Sequence, residues 1–260
     1  MQIRDGPKLK LQNGYNCGLV ALRMVIEYLR GGASLTKEQY DQMLTVSIER
    51  GYSKQGEMFS SYNLSILSND LFSHYADSEV IVSPSLFTVL HHLSKGLPIL
   101  IPYDADSNWR PTSKTNGKRA HWAIIFGFVI PKINSTDRSS NENISKVQFE
   151  SIDTLQQSDR FIYLNSNIIK FRDSDNCIEI TDSNYSNRQL FEITESDVFL
   201  ICQHSKSKFV QLWEYSLLKE SNESLKTPNM DKQLDKDSWI IPTHLEDLQN
   251  KWIFFSNTQQ

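Results

Sequence analysis

The sequence lacks the features that mark several common protein classes. Its 260 residues contain only three cysteines, Cys17, Cys177 and Cys202. None forms a Cys-x-x-Cys pair, so neither a disulfide framework nor a structural zinc site is expected. No run of 18 apolar residues predicts a membrane span, and no glycine-rich phosphate loop is present. The net charge of -4 argues against general nucleic-acid binding.

These absences also bear on the compartment and on cofactors. The first ten residues lack the apolar stretch of a secretory signal, which together with the sparse cysteines predicts a cytoplasmic protein with reduced thiols. His91 and His92 are adjacent but have no cysteine or acidic partner at ligand spacing, so no metal is expected. We expect no cofactor, and no nucleic-acid or membrane partner.

The apolar periodicity predicts helices in the first third of the chain and mainly strands after it. Thr36 and Gln39 form a capping-box pattern at the start of the second helix. The helices are predicted near residues 17–30, 36–50, 61–72 and 85–95. The strands are predicted at residues 79–82, 98–103, 121–130, 198–202, 209–213, 238–242 and 252–255.

This order of elements favours an α+β fold. No linker separates two hydrophobic cores, so residues 1–260 are predicted to form a single domain. Residues 132–195 begin with a polar stretch rich in Asn, Ser and Asp and show only weak patterning. We predict a surface insertion there, partly disordered, with a hairpin in its second half.

Cys17 is the strongest candidate for chemistry. A loop rich in Asn and Gly runs into Cys17-Gly18, and an apolar-periodic helix begins at once. The unpaired N–H groups and the dipole at a helix start favour negative charge. We therefore expect a lowered thiol pKa and a nucleophile at neutral pH. A structural alternative stays open, because a cysteine before a helix is often simply a small buried residue.

His121 and Gln12 could complete such a site. His121 opens the most apolar predicted strand and follows a polar loop, so its ring could reach a cleft as the general base. Gln12 precedes Cys17 by five residues, and its amide could join the backbone N–H of Cys17 in an oxyanion hole. A Cys–His pair would favour a thiolate and an imidazolium. As an alternative, His121 could be a satisfied core histidine.

Several segments resemble the actin maturation protease family. The similarity covers residues 12–22 around Cys17, residues 49–60, and residues 96–108 leading to His121. Residues 211–215 and Asn222 match more weakly, and the insertion is not covered. The resemblance implies a papain-like cysteine protease fold related to peptidase C39. In it, a catalytic cysteine at a helix start lies among N-terminal helices packed on a mainly antiparallel sheet.

The resemblance also implies an activity. Family members are cysteine aminopeptidases that remove an acetylated Met or Cys from the N-terminus of immature actin through an acyl-enzyme. Cys17 would then be the nucleophile, His121 the base and acid, and Gln12 the oxyanion donor. Asn222 and Asp104 are the candidates for the residue that orients His121.

Basic residues crowd the loop before His121. Arg110, Lys118 and Arg119 are candidates to bind the acidic stretch that follows the first residue of actin, although an ordinary solvated loop would have the same composition. Two other functions stay open for the whole chain. One is a papain-like peptidase or isopeptidase of other specificity, and the other is a non-catalytic actin-binding adaptor.

Overall fold

The computed structural model describes residues 6–131, 194–229 and 238–258, together with short strands between residues 148 and 191. Five α-helices are described: α1 Cys17–Leu29, α2 Lys37–Glu49, α3 Ser61–Phe72, α4 Leu86–Ser94 and α5 Tyr215–Glu223. The strands are β1 Ala76–Val82, β2 Ile99–Asp104, β3 Ala120–Pro131, β4 Gln148–Phe149, β5 Phe161–Tyr163, β6 Ile169–Arg172, β7 Cys177–Ile180, β8 Gln189–Phe191, β9 Phe199–His204, β10 Val210–Glu214 and β11 Lys251–Asn257.

The helix starts follow the capping chemistry of the sequence. The predicted capping box is confirmed at α2, where the Thr36 side chain accepts from the Gln39 backbone and the Gln39 side chain accepts from the Thr36 backbone. Ser60 caps α3 through one hydrogen bond, which its side chain accepts from the backbone N–H of Asn63. These side chains satisfy N–H groups that would otherwise lack a partner.

The strands form one large antiparallel sheet in the order β1-β11-β2-β3-β9-β10-β4, and β5 also pairs with β3. β3 is central, as its apolar sequence predicts, and pairs with β2 on one side and β9 on the other. A second sheet joins β6, β7 and β8. The α+β class with an antiparallel sheet is confirmed.

Helices cover both faces of the large sheet, because its strands alternate between two apolar clusters. On one face, α1 lies over β2 and β3 while α3 lies over β1 and β11. The core there includes Leu22, Trp122 and Ile124. On the opposite face, α4 and α5 pack against a cluster that includes Tyr103 and Trp213. The candidate site lies at the start of β3.

Two sequence predictions need correction. Residues 238–242 are described without a strand, because the backbone N–H of Ile240 donates to the Glu57 carboxylate rather than to a neighbouring strand. Residues 215–223 form α5, which the apolar pattern did not predict. Most of the predicted insertion, including its predicted disorder, lies outside the described residues. Within the part of the chain described, no helix has both the length and the apolar character needed to cross a membrane.

Candidate active site

Cys17 is the first residue of α1 and is half-buried. Its neighbour Gly18 explains how the thiol approaches the sheet. A Cβ on Gly18 would lie 2.8 Å from the Met58 Cβ and 3.2 Å from the indole nitrogen of Trp122. Only glycine therefore lets the first turn of α1 pack so closely on β3. The Trp122 indole N–H donates to the Met58 carbonyl at 3.0 Å and joins the loop at Met58 to β3.

The loop before Met58 is organised by a buried carboxylate. Glu57 is 3 % exposed and accepts hydrogen bonds from the Ser53 hydroxyl and the backbone N–H groups of Lys54, Gln55 and Ile240 at 2.7–3.0 Å. A buried charge is tolerated when it is hydrogen-bonded in this way. Glu57 thus fixes both the loop beside Cys17 and the segment beginning at residue 238.

His121 lies near the start of β3 and is 2 % exposed. Its ring packs against the rings of Trp109, His204 and Tyr103, with centroids 5.0, 5.6 and 5.8 Å away. Among the described residues its Nε2 has no hydrogen-bond partner. A buried ring nitrogen without a partner is unusual in a structural histidine. It is available to exchange a proton with a bound molecule.

Gln12 lies on the strand-like approach to α1 and is fixed to the far end of β9. Its backbone N–H donates to the Ser205 carbonyl at 3.1 Å, and its side-chain oxygen accepts from the Ser205 hydroxyl at 2.6 Å. The side-chain nitrogen donates one hydrogen to the Gly14 carbonyl at 2.7 Å. An amide nitrogen carries two hydrogens, so the second remains for another acceptor.

The structure brings the three predicted residues to one pocket. Cys17, His121 and Gln12 all line it. One part of the wall is apolar and includes Tyr15, which packs edge-on against Trp239 with ring centroids 4.1 Å apart. The pocket is lined by Gln12, Gly14, Tyr15, Cys17, Glu57, Met58, Phe59, Trp109, Ala120, His121, Trp122, Lys206, Trp239 and Leu248.

The electrostatics of the thiol differ from the sequence prediction. Burial raises the pKa of Cys17 to about 11, although the backbone N–H groups of Trp122 and Gly18 and the charge of Lys206 act in the opposite direction. The predicted lowering of the thiol pKa is therefore wrong. The helix start does supply stabilising N–H groups, but desolvation of the thiolate is the larger effect.

Burial also disfavours the charged form of the histidine. Burial, with smaller contributions from His204 and Lys206, holds the pKa of His121 well below its ordinary value of 6.5. The predicted thiolate–imidazolium pair is thus replaced by a neutral thiol and a neutral imidazole. A neutral imidazole can accept a proton, which is the role of a general base.

Neither sequence candidate for the orienting residue bonds to His121. The Asn222 amide donates to the carbonyls of Pro102 and Leu248 and accepts from the Trp252 indole. Asp104 accepts from the backbone N–H and the hydroxyl of Thr115. Asn222 thus joins β2 to β11, and Asp104 holds the loop at Thr115. The described contacts of the His121 ring are instead with other rings.

Of the three predicted basic residues, only Arg119 has a described contact with a residue that lines the pocket. The Arg119 guanidinium is 5.4 Å from the centroid of the Trp109 ring, which itself lines the pocket. Arg110 and Lys118 lie in the same loop but are not among the lining residues. Lys206 does line it, and the sequence analysis did not single it out. Trp109 carried a signal that was missed, as the only aromatic residue in the polar loop 104–120.

The structure thus places a cysteine at a helix start and a histidine on an antiparallel strand in the lining of one pocket. The sequence comparisons define the relationship more narrowly. Residues 8–129, which include Cys17, His121 and Gln12, match the family model "Actin maturation protease-like, C-terminal domain". The resemblance to the actin maturation protease family is thereby confirmed.

Curated proteins named actin maturation protease are similar to most of this chain. The actin maturation protease of Xenopus tropicalis is 29% identical over 238 residues, covering 90% of this chain and 65% of the relative. The human protein of that name is 28% identical over 242 residues, covering 92% and 60% respectively. The chain therefore spans about two thirds or less of the length of these curated relatives.

One solved structure was also compared. A C39-like peptidase from Bacillus anthracis aligns over 98% of this chain and 99% of its own, at 9% identity and a TM-score of 0.35. That score is too low to establish a common fold.

Proposed function

We propose that this chain is a cysteine aminopeptidase that removes an acetylated Met or Cys from the N-terminus of immature actin. The observation that carries the proposal is the convergence of Cys17, His121 and Gln12 on one pocket. The names of the relatives supply the substrate. We also propose a single catalytic domain acting in the cytoplasm, where the thiol stays reduced and actin is present, with no nucleic-acid partner.

In the proposed mechanism, Cys17 attacks the carbonyl carbon of the acetylated first residue. His121 takes the thiol proton as the sulfur–carbon bond forms, which avoids a free thiolate in the buried site. The developing oxyanion accepts hydrogen bonds from the second amide hydrogen of Gln12 and the backbone N–H of Cys17. Such a donor typically contributes about 3–4 kcal/mol to transition-state stabilisation.

The remaining steps use the same residues. His121 returns the proton to the amine of the second residue as the peptide bond breaks, and the shortened actin leaves. Water then loses a proton to His121 and attacks the thioester, which releases the acetylated amino acid and restores the Cys17 thiol. The proposed reaction steps use no cofactor or metal ion.

The pocket wall supports a nonpolar first residue. Tyr15, Met58, Phe59 and Trp239 form apolar lining beside Cys17. An acetylated N-terminus carries no charge, so this wall would accept both the acetyl group and a Met side chain without an unpaired buried ion. On the other side, Arg119 with Arg110 and Lys118 would favour the acidic residues that follow in actin.

The test is mass spectrometry of a peptide with an actin-like acidic sequence and an acetylated N-terminal Met, incubated with the purified full chain. We expect release of acetyl-methionine, and no release by the Cys17→Ala variant. A peptidase or isopeptidase of other specificity would leave this peptide intact yet cleave another amide. A non-catalytic adaptor would bind actin equally well with and without the thiol.

A further inference from the structure

Lys206 lies in the turn between β9 and β10, 85 positions after His121 in the sequence. It nevertheless lines the same pocket as Cys17 and His121. Its ammonium is 5.2 Å from the centroid of the Trp109 ring, within the range of a cation–π contact. The side chain therefore has a defined position at the pocket although it is exposed to solvent.

Trp109 is a rigid platform for this cation. Its backbone has a positive φ of 64°, and its carbonyl accepts a hydrogen bond from the Tyr103 hydroxyl at 2.9 Å. Its ring lies 5.0 Å from the ring of His121. Arg119 lies over the same indole at 5.4 Å. Two cations thus contact one aromatic ring next to the proposed base.

These two charges are uncompensated in the described part of the chain. Neither Lys206 nor Arg119 has an acidic side chain within 4.0 Å among the described residues. Glu57 is the one acidic residue among those that line the pocket, and its oxygens already accept four hydrogen bonds. An anionic group entering this side would meet positive charge without displacing an internal partner.

The position of His121 indicates which part of a substrate would bind beside Trp109. In the proposed reaction His121 must protonate the departing amine, so the leaving peptide extends past the His121 ring. Trp109 packs on that ring, and Lys206 and Arg119 lie on Trp109. The proposed function assigns the acetylated residue to the apolar wall around Tyr15. The cationic side is therefore the leaving-group side.

We propose that Lys206, supported by Trp109, is a specificity-determining residue that pairs with an acidic side chain just after the scissile bond. The proposal rests on the proposed function for the direction of the substrate, and it adds a residue from a separate part of the chain to the loop residues considered above. The substrate class is an N-terminally acetylated chain whose next residues are Asp or Glu.

Pairing at Lys206 would also assist the reaction. The positive charge of Lys206 disfavours a second positive charge on His121. A substrate carboxylate beside Lys206 would reduce this repulsion and help His121 to hold the proton between its two transfers. Acidic peptides should then show higher kcat as well as lower KM than neutral ones.

The experiment measures peptide binding to the full chain carrying Cys17→Ala, so that no turnover is needed. The probes are acetyl-Met peptides followed by three acidic residues or by their Asn and Gln equivalents. We expect Lys206→Gln to weaken binding of the acidic peptide roughly tenfold and to leave the neutral peptide unchanged. Lys208→Gln, an exposed lysine two residues away that does not line the pocket, is the matched control.

A charge-reversal variant of Lys206 distinguishes the loss of its charge from a loss of folding in the turn. Lys206→Glu should bind a peptide with Lys after the first residue better than the acidic one, which a merely unfolded turn would not do. Equal weakening by the Lys206 and Lys208 variants, or equal binding of acidic and neutral peptides to the parent protein, would overturn the proposal. Failure of the parent chain to cleave any acetylated peptide would instead refute the proposed function, and the binding comparison would still decide the role of Lys206.

Discussion

The two sides of the pocket are held by different interactions. On the side of α1, the buried Glu57 carboxylate accepts four hydrogen bonds and fixes the loop that packs on Gly18. On the side of β3, the His121 ring is surrounded by other rings and its Nε2 has no hydrogen-bond partner within the described residues.

This difference predicts how the surroundings of Glu57 and of His121 respond to substitution. Hydrogen bonds to a buried charge are directional, and removing their acceptor leaves several unpaired donors at once. Ring packing is less directional and accepts a change of polar atoms when the volume is conserved. The thiol side should therefore be sensitive to single polar changes, and the histidine side should tolerate them.

The largest effect concerns the pH dependence of the thiol. The pKa of Cys17 is about 11, so little thiolate is present at neutral pH. As long as the pH stays below that value, each increase of one pH unit raises the thiolate fraction tenfold. Alkylation of Cys17 by iodoacetamide should then increase roughly 10³-fold between pH 6 and pH 9. Peptide mass spectrometry of samples quenched over time measures the rate. A rate that is nearly flat over this range would indicate a thiolate–imidazolium pair and contradict the neutral pair.

The oxyanion donor gives the next effect. Gln12→Ala removes the amide hydrogen proposed to face the reacting oxygen, so we expect kcat to fall roughly 10²- to 10³-fold with little change in KM. Steady-state kinetics with the acetylated peptide measure both constants. The loop must remain in place, which circular dichroism and an unchanged melting temperature would establish. A change confined to KM would assign Gln12 to substrate binding instead.

Glu57→Gln tests the hydrogen-bonded side directly. A neutral amide has one acceptor oxygen for three backbone N–H donors and a hydroxyl, and its NH₂ group would face other donors. We expect the free energy of unfolding to fall by about 2–3 kcal/mol in urea denaturation. Glu79→Gln, at an exposed position on β1, is the control and should change it by less than about 0.5 kcal/mol. Equal small changes would mean that Glu57 does not hold the loop.

Tyr103→Phe tests the ring-packed side and should have the smallest effect. The ring against His121 remains, while the hydroxyl bond to the Trp109 carbonyl at 2.9 Å is lost. We expect the free energy of unfolding to fall by about 1 kcal/mol and kcat to stay within roughly threefold of the parent value. A loss of kcat as large as that of Gln12→Ala would show that the hydroxyl, rather than ring packing, positions His121.

The sequence predicted what is decided locally. The capping box of Thr36, the helix beginning at Cys17 and the central apolar strand at 121–130 all follow from short-range patterns, and the structure confirms them. Their local context and order also suggested Cys17, His121 and Gln12 as one site, and the resemblance to a family added the substrate. Local sequence patterns could not identify the polar residues around the site, because the chain brings them together only on folding.

Three features of the site could not be predicted from the sequence. Lys206 reaches the pocket because β9 pairs with β3, and nothing near it in the sequence marks this. Residues 238–242 have a strand-like apolar pattern, yet Glu57, far away in sequence, takes the N–H of Ile240. The pKa of Cys17 depends on the balance between burial and helix-start donors, and only the packed structure gives the degree of burial.

The central claim is that Cys17 is the attacking nucleophile for an acetylated N-terminal residue. In an acetyl-methionine vinyl sulfone, an electrophilic alkene replaces the scissile carbonyl, while the acetyl group and the Met side chain are kept. The attacking sulfur adds to the alkene carbon and the thiol proton goes to the neighbouring carbon, which forms an irreversible thioether. The direct measurement is peptide mapping by mass spectrometry after treatment of the full chain, with peptide cleavage followed in the same sample. We predict one modification per chain, at Cys17, in proportion to the loss of cleavage. Modification of Cys202 instead, or loss of cleavage with Cys17 unmodified, would contradict the account.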